Sequence, residues 1–226
     1  GSTGTPKGVE LSHGNIVSQV KASIKRFPRE REGERAISSL PMAHIFERMI
    51  IYYYLASGVP VYFIDQLERI GEHIKNVQPT VMTVVPRLLE KVHARFWEAM
   101  DEKGGLLGAL GRAALRRAEE KPVHEPYRGV KDKLYNGLIY PKLREKLGGN
   151  FSQIISGASP LPQKIGRFFL NTGFPVFEGY GLTEASPVIA VNYEGHNRLG
   201  TVGRLFPGVE VRISEDGEVL ARGPNV

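Results

Sequence analysis

Two short segments hold residue types suited to handling phosphate. GSTGTPKG, residues 1–8, sets Ser2, Thr3, Gly4 and Thr5 where backbone N–H groups can close on an anion, and Lys7 adds a fixed positive charge. It departs from the Walker pattern, because Gly8 and Val9 follow the lysine where Ser or Thr is needed. Standing alone, it would also suit a plain flexible loop. EGYGLTE, residues 178–184, brings a ring, a hydroxyl and a carboxylate into one glycine-bounded turn. Tyr180 offers a face on which a purine can stack, Thr183 a hydrogen bond to a phosphate oxygen, and Glu184 a hard oxygen ligand for Mg²⁺. Each residue also has an ordinary reading: core packing for Tyr180, a helix cap for Thr183, a solvated charge for Glu184.

Positioning such groups requires a rigid frame, and the pattern around them supplies one. Residues 36–40, 59–64, 80–85, 153–156 and 176–178 are rich in β-branched or aromatic residues and bounded by breakers, so they read as strands. Helical patterns alternate with them: residues 15–27, and more clearly 87–100, with Leu88, Leu89, Val92 and Phe96 on one face. The expectation is an α/β fold, a mostly parallel sheet covered by helices. Residues 1–186 form its α/β region, within which 103–149, rich in Gly, Arg and Glu with Leu at helical spacing, read as a helical insertion. Pro141 should kink the second insertion helix or begin a new one, and Gly148 with Gly149 should stop it. Residues 187–226 turn strand-rich, with a hairpin at Asp216 and Gly217.

The balance of 30 Lys and Arg against 24 Asp and Glu, a net +6, favours polyanionic ligands without choosing among them. No recognised nucleic-acid-binding module appears and the basic residues are dispersed, which argues against a nucleic-acid partner. Cysteine is absent, excluding a disulfide framework, a thiolate zinc site and a cysteine nucleophile from this stretch and fitting a cytoplasmic setting. No run approaches the ~20 apolar residues of a spanning helix. Arg112, Arg116 and Arg117 beside an apolar face read as a solvated helix, with peripheral membrane contact as the alternative. Trp97 reads as packing, and Met49 to Leu55 equally as core or as the wall of a tunnel.

In order along the chain, GSTGTPKG, LPMAHIFER, SGASPLP and EGYGLTE closely resemble the adenylate-forming superfamily of acyl-CoA synthetases, luciferases and peptide-synthetase adenylation domains. The resemblance implies Ser2, Thr3, Gly4, Thr5 and Lys7 at the β- and γ-phosphates, and Gly157, Ala158, Ser159, Tyr180 and Gly181 around adenine. It also implies Thr183 at the α-phosphate, Glu184 at Mg²⁺ and His44 beside the reacting carboxylate, with Lys7, His44, Thr183 and Glu184 as the catalytic set. The implied reaction consumes ATP and coenzyme A: a carboxylate displaces pyrophosphate to give acyl-AMP, and the thiol then displaces AMP. PMAHIFER lacks the phenylalanine–aspartate pattern of amino-acid-activating relatives, and with the long insertion it resembles long-chain fatty acid–CoA ligases. A fatty acid is therefore the expected substrate. An adenylating enzyme for a different acid, or a non-catalytic nucleotide- or acyl-binding module, is the alternative.

The resemblance leaves a homodimer open. Both ends read as internal to a longer chain. The family's ribose-binding aspartate and its C-terminal domain with a catalytic lysine are not in the sequence, so residues 1–226 alone should lack full synthetase activity.

Overall fold

A computed structural model describes residues 8–29, 32–123, 125–127 and 129–226. The strands are β1 Ala36–Ser38, β2 Val61–Phe63, β3 Val81–Val84, β4 Gln153–Ser156, β5 Val176–Gly181, β6 Val188–Val191 and β7 Arg204–Leu205, forming one sheet in the order β2-β1-β3-β4-β5-β6-β7. The first five run parallel and the last two antiparallel. A separate ribbon pairs β8 Glu210–Ile213 with β9 Val219–Arg222 around a turn containing Asp216 and Gly217, where the sequence places a hairpin. All five parallel strands fall within the expected runs or extend them, β5 by three residues into the EGYGLTE motif.

Helices cover both faces, as a parallel sheet requires to keep its backbone dry. They are α1 His13–Arg26, α2 Ile45–Ala56, α3 Ile70–Val77, α4 Pro86–Lys103, α5 Gly105–Glu120, α6 Gly129–Leu134, α7 Tyr140–Lys146 and α8 Gln163–Thr172. Their ends follow local chemistry. Ser12 and Asn15 form a reciprocal capping box at the start of α1. Pro86 and Pro141 occupy the first turns of α4 and α7, where a missing N–H is harmless, and Pro141 follows directly on a π-helical stretch. A π-helical segment, Tyr135–Ile139, joins α6 to α7.

Period-two alternation along the strands divides the interior. Ile37, Met82, Val84, Ile154 and Val176 face a large core completed by Leu89 and Phe96 of α4, Leu115 of α5, Leu143 of α7 and Phe168 and Phe169 of α8. On the opposite face, Ala36 and Val81 meet Met49, Ile50 and Tyr53 of α2. Ile155 lies on that side too, with Ala22 of α1, Ile189, Val191 and Phe206.

The insertion is thus part of the far-face core. A Cβ on Gly108 would lie 2.6 Å from the Met100 backbone O, so glycine at this position lets α5 close on α4. Glu119 of α5 fixes the other contact: it pairs with His93 at 2.7 Å, accepts from Trp97 at 2.8 Å and binds Lys164 of α8 at 3.0 Å. Burial would raise the Glu119 pKa, but the hydrogen bonds from Lys164, His93 and Trp97 outweigh it and hold the carboxyl below its ordinary value. Trp97 is therefore packing with a polar tether. Arg117 is held bidentately by the buried Asp132 at 2.8 and 2.9 Å and Arg112 meets Asp101 at 3.2 Å, so both guanidinium groups are engaged in local ion pairs. Among the described residues no helix is long and apolar enough to cross a membrane.

Candidate active site

The loops leaving the carboxyl ends of β1, β3, β4 and β5 converge on the face carrying α1 and α2, the usual position for ligands in open α/β sheets. Each is shaped by its sequence. After β4, Gly157 donates to Val84 O at 3.1 Å, and a Cβ there would stand 3.2 Å from the Phe46 ring. Ala158 follows with φ +71°, a left-handed conformation uncommon for a residue bearing a Cβ. The loop then returns to Leu161, whose N–H donates to Glu178 Oε1 at 2.9 Å. Glu178 thereby ties SGASPLP to the strand that carries EGYGLTE. Sequence reading quoted Glu178 within the motif and assigned it no role, because its partner lies in a different motif.

At the end of β5 the chain makes a short 3₁₀ turn, Thr183–Ala185. Gly181 is required there: a Cβ would lie 1.9 Å from Pro187 O, the carbonyl that accepts Leu182 N–H at 2.9 Å. Asn225 braces the turn by donating to Ala185 O at 2.9 Å, and Asn15 holds the neighbouring chain through Pro224 O and Val226 O, both at 3.0 Å.

Between these loops and α2 lies a cavity of about 440 Å³ with a mainly apolar wall. His44, Gly157, Ala158, Tyr180, Gly181 and Thr183 share its rim, while Phe27, Ile50, Tyr53 and Val191 continue the wall inward. Three segments distant in sequence therefore bring six of the expected site residues together. Ser159 and Glu184 are exposed and stand outside that wall, Glu184 one residue beyond Thr183. Ser2, Thr3, Gly4, Thr5 and Lys7 lie outside the described residues. Of the stretch from Met49 to Leu55, Ile50 and Tyr53 line this cavity, whereas Met49, Ile51 and Tyr54 are core.

His44 is the N-cap residue of α2, but its side chain makes no cap hydrogen bond, so the ring is not committed to the helix. Three residues on, Glu47 is 1% exposed and accepts from Ser38 Oγ at 2.5 Å and Thr83 Oγ1 at 2.6 Å. It pins the first turn of α2 to β1 and β3, and with it the ring of Phe46. Burial raises the Glu47 pKa, only partly opposed by hydrogen bonds from Ser38, Thr83 and the Leu40 backbone. Among the described residues no group of three or more His, Cys, Asp or Glu is placed to hold a metal by itself. The exposed carboxylate of Glu184, one residue beyond the lining Thr183, would fit Mg²⁺, which commonly takes one or two protein oxygens and completes its shell with water and substrate phosphates.

The fold is an α/β domain with an apolar cavity at the carboxyl ends of its strands, and comparison makes its class specific. The family model described as AMP-binding enzyme matches residues 1–226, and the chain belongs to that family. It is 35% identical over 228 residues to the long-chain-fatty-acid–CoA ligase FadD15 of Mycobacterium bovis, covering 99% of this chain and 38% of that protein. It is also 35% identical over 244 residues to the peroxisomal long chain acyl-CoA synthetase 6 of Arabidopsis thaliana, covering 99% of this chain and 34% of that one. The chain thus spans little more than a third of the length of these relatives. Among solved structures, the Bacillus subtilis O-succinylbenzoate coenzyme A synthetase in complex with ATP and magnesium superposes with TM-score 0.66 at 20% identity, over 99% of this chain and 40% of that one. Apo MatB from Rhodopseudomonas palustris gives 0.67 at 22% identity, over 100% and 38%. These two likenesses establish the fold.

Proposed function

We propose that the full-length protein activates a long-chain fatty acid with ATP, first to acyl-AMP and pyrophosphate and then, with coenzyme A, to acyl-CoA and AMP. The observation that carries this reading is the shared wall: an apolar cavity opens onto a rim of Tyr180, Thr183 and His44. An acyl chain seated there leaves its carboxylate at the rim, where a nucleotide stacked on Tyr180 would present its α-phosphate.

In the first step a carboxylate oxygen attacks the α-phosphorus, and the bond to the pyrophosphate oxygen breaks. Both reactants are anionic, so the protein's task is to align them and offset their repulsion. Thr183 donates to the α-phosphate, the Gly157–Ser159 loop holds adenine against Tyr180, and His44 positions the carboxylate from the start of α2. Lys7 and the neighbouring N–H groups of residues 2–5 take the departing pyrophosphate. Glu184 would hold Mg²⁺, which neutralises phosphate charge when bound. In the second step the sulfur of coenzyme A attacks the acyl carbon, the carbon–oxygen bond to AMP breaks, and the thiol proton passes to solvent.

The test is exchange of labelled pyrophosphate into ATP by the full-length protein with acetate, octanoate and palmitate, with Glu184→Ala as control. Exchange strongest with palmitate and lost in the variant is expected. No exchange with any acid would replace this reading with that of a non-catalytic binding module.

A further inference from the structure

A second apolar cavity lies on the other face of the sheet. Its wall includes Met82 and Val84 of β3 and Ile154 of β4, which point away from α1 and α2, together with Ile74 of α3, Leu89 of α4 and Phe169 of α8. Close-packed interiors hold few voids larger than a water molecule. This one measures about 200 Å³, more than the ~150 Å³ of an engineered apolar cavity that stays dry and takes benzene. Arg95 of α4 and Lys146 of α7 also line it and are exposed, so the cavity reaches the surface.

Lys146 is shared with a neighbouring surface pocket of different chemistry. There Lys75, Lys103, Lys142, Arg144 and Lys146 gather around one carboxylate, Glu145. The two spaces meet along the chain as well: Ile74 and Leu147 line the apolar one, and their neighbours Lys75 and Lys146 line the basic one. Gly148, at φ +77°, brings the end of α7 against α3, since a Cβ there would stand 3.0 Å from Ile74 O. Helix dipoles account for part of the charge. Helices α3, α4 and α7 carry Lys75, Lys103 and Lys146 in their last turns, which suits a terminus bearing roughly half a negative charge. Three such termini offset about one and a half charges, against five cations and one carboxylate in the lining, so the pocket stays positive. Arg144 is engaged, donating to Thr172 O at 2.7 Å. Among the described residues the four lysines have no ion-pair or hydrogen-bond partner.

We propose that the two pockets form one binding site for a single-chain amphiphile with a phosphate head, its tail in the apolar cavity and its phosphate among Lys75, Lys142 and Lys146. A phosphate brings about two negative charges and three acceptor oxygens, enough to engage several lysines at once. A neutral head would leave them unmatched. The site lies across the sheet from the rim of Tyr180 and Thr183, so it stands independently of the adenylation reading.

The experiment is isothermal titration of the full-length protein with octyl phosphate, which is monomeric and short enough for this cavity, beside octyl glucoside and inorganic phosphate. Octyl phosphate should bind about tenfold or more tighter than either, the scale of one lost charged hydrogen bond or of two buried methylenes. Lys142→Glu with Lys146→Glu should remove that preference over octyl glucoside. Gly71→Phe adds bulk at a lining position where a Cβ meets no atom within 4 Å, and should remove the preference over inorganic phosphate. Circular dichroism and pyrophosphate exchange, unchanged in these variants, verify folding. Equal affinity for all three probes, or octyl phosphate binding that neither variant moves, would overturn the site. Vesicles of phosphatidylcholine with phosphatidic acid form a further arm: binding to them, with none of monomeric octyl phosphate, would replace the single-chain site with a lipid surface.

Discussion

At the residue scale, the site depends on positions where geometry leaves no choice. A Cβ on Gly181 would lie 1.9 Å from Pro187 O, inside the turn that presents Thr183, whereas one on Gly179 would meet Val191 at 3.4 Å, an ordinary contact. Gly181→Ala should therefore destabilise the protein by about 2–4 kcal/mol and abolish adenylation, while Gly179→Ala stays within about 1 kcal/mol of the original. Denaturant unfolding and pyrophosphate exchange measure both; equal effects would remove the steric argument. Glu47 gives a second prediction with a definite sign. Its folded pKa lies above the ordinary 4.5, so its contribution to stability is fully present below that value and is lost as pH rises through the folded pKa. Glu47→Gln should flatten this decline, gaining on the original protein from acidic to neutral pH in unfolding titrations. A difference that shrinks as pH rises would contradict the assigned burial. These residues also show what sequence could reveal. Tyr180, Thr183 and Glu184 were legible because chemistry and turn share seven consecutive residues. The role of Glu47 is hidden in sequence, because it depends on Ser38 and Thr83, hydroxyls in strands that carry no chemical signature of their own.

At the element scale, the insertion carries a clasp. Glu119 of α5 joins His93 and Trp97 of α4 to Lys164 of α8, the helix that follows the loop after β4. The sign is opposite to that of Glu47: the Glu119 pKa is depressed, so the stabilisation is present above the ordinary carboxylate value and lost as pH falls through the folded one. Glu119→Gln should cost about 2 kcal/mol at neutral pH, with the gap closing on acidification; a pH-independent gap would mean that packing, not charge, makes the contact. Helices α4 and α5 were legible from their leucine spacing. In contrast, α2 has no legible helical pattern in sequence, because Met49, Ile50, Ile51, Tyr53 and Tyr54 are all buried and the helix shows little amphipathic period. One side of α2 packs into core and another lines the cavity, so both sides are apolar. Helices α3 and α8, eight and ten residues long, place their apolar residues on one face, but each spans fewer than three turns, too short a run for period alone to tell a helix from a loop.

At the scale of the molecule, alternation of strands and helices disclosed a parallel sheet but not its order. Strand β2 lies outside β1, and β3 enters beside β1 as the chain returns, an arrangement set by which faces bury best together and not by any local signal. Strands β6 and β7 extend the sheet antiparallel, which follows from the tight turn at Gly181 that reverses β5 onto β6. The same reversal places Thr183 over the cavity mouth, so topology and site share one cause. The cavity itself was not legible, since its wall gathers residues from Ser23 to Phe206. The central claim, that a carboxylate at this rim attacks the α-phosphate, is tested most directly by oxygen transfer. The full-length protein is given palmitate labelled with ¹⁸O in both carboxylate oxygens, ATP and coenzyme A, and the nucleotide product is weighed by mass spectrometry. AMP carrying one ¹⁸O is the predicted result, because the carbon–oxygen bond breaks in the second step and leaves the attacking oxygen on phosphorus. Unlabelled AMP, or ADP as the labelled or unlabelled product, would contradict adenylation at this site.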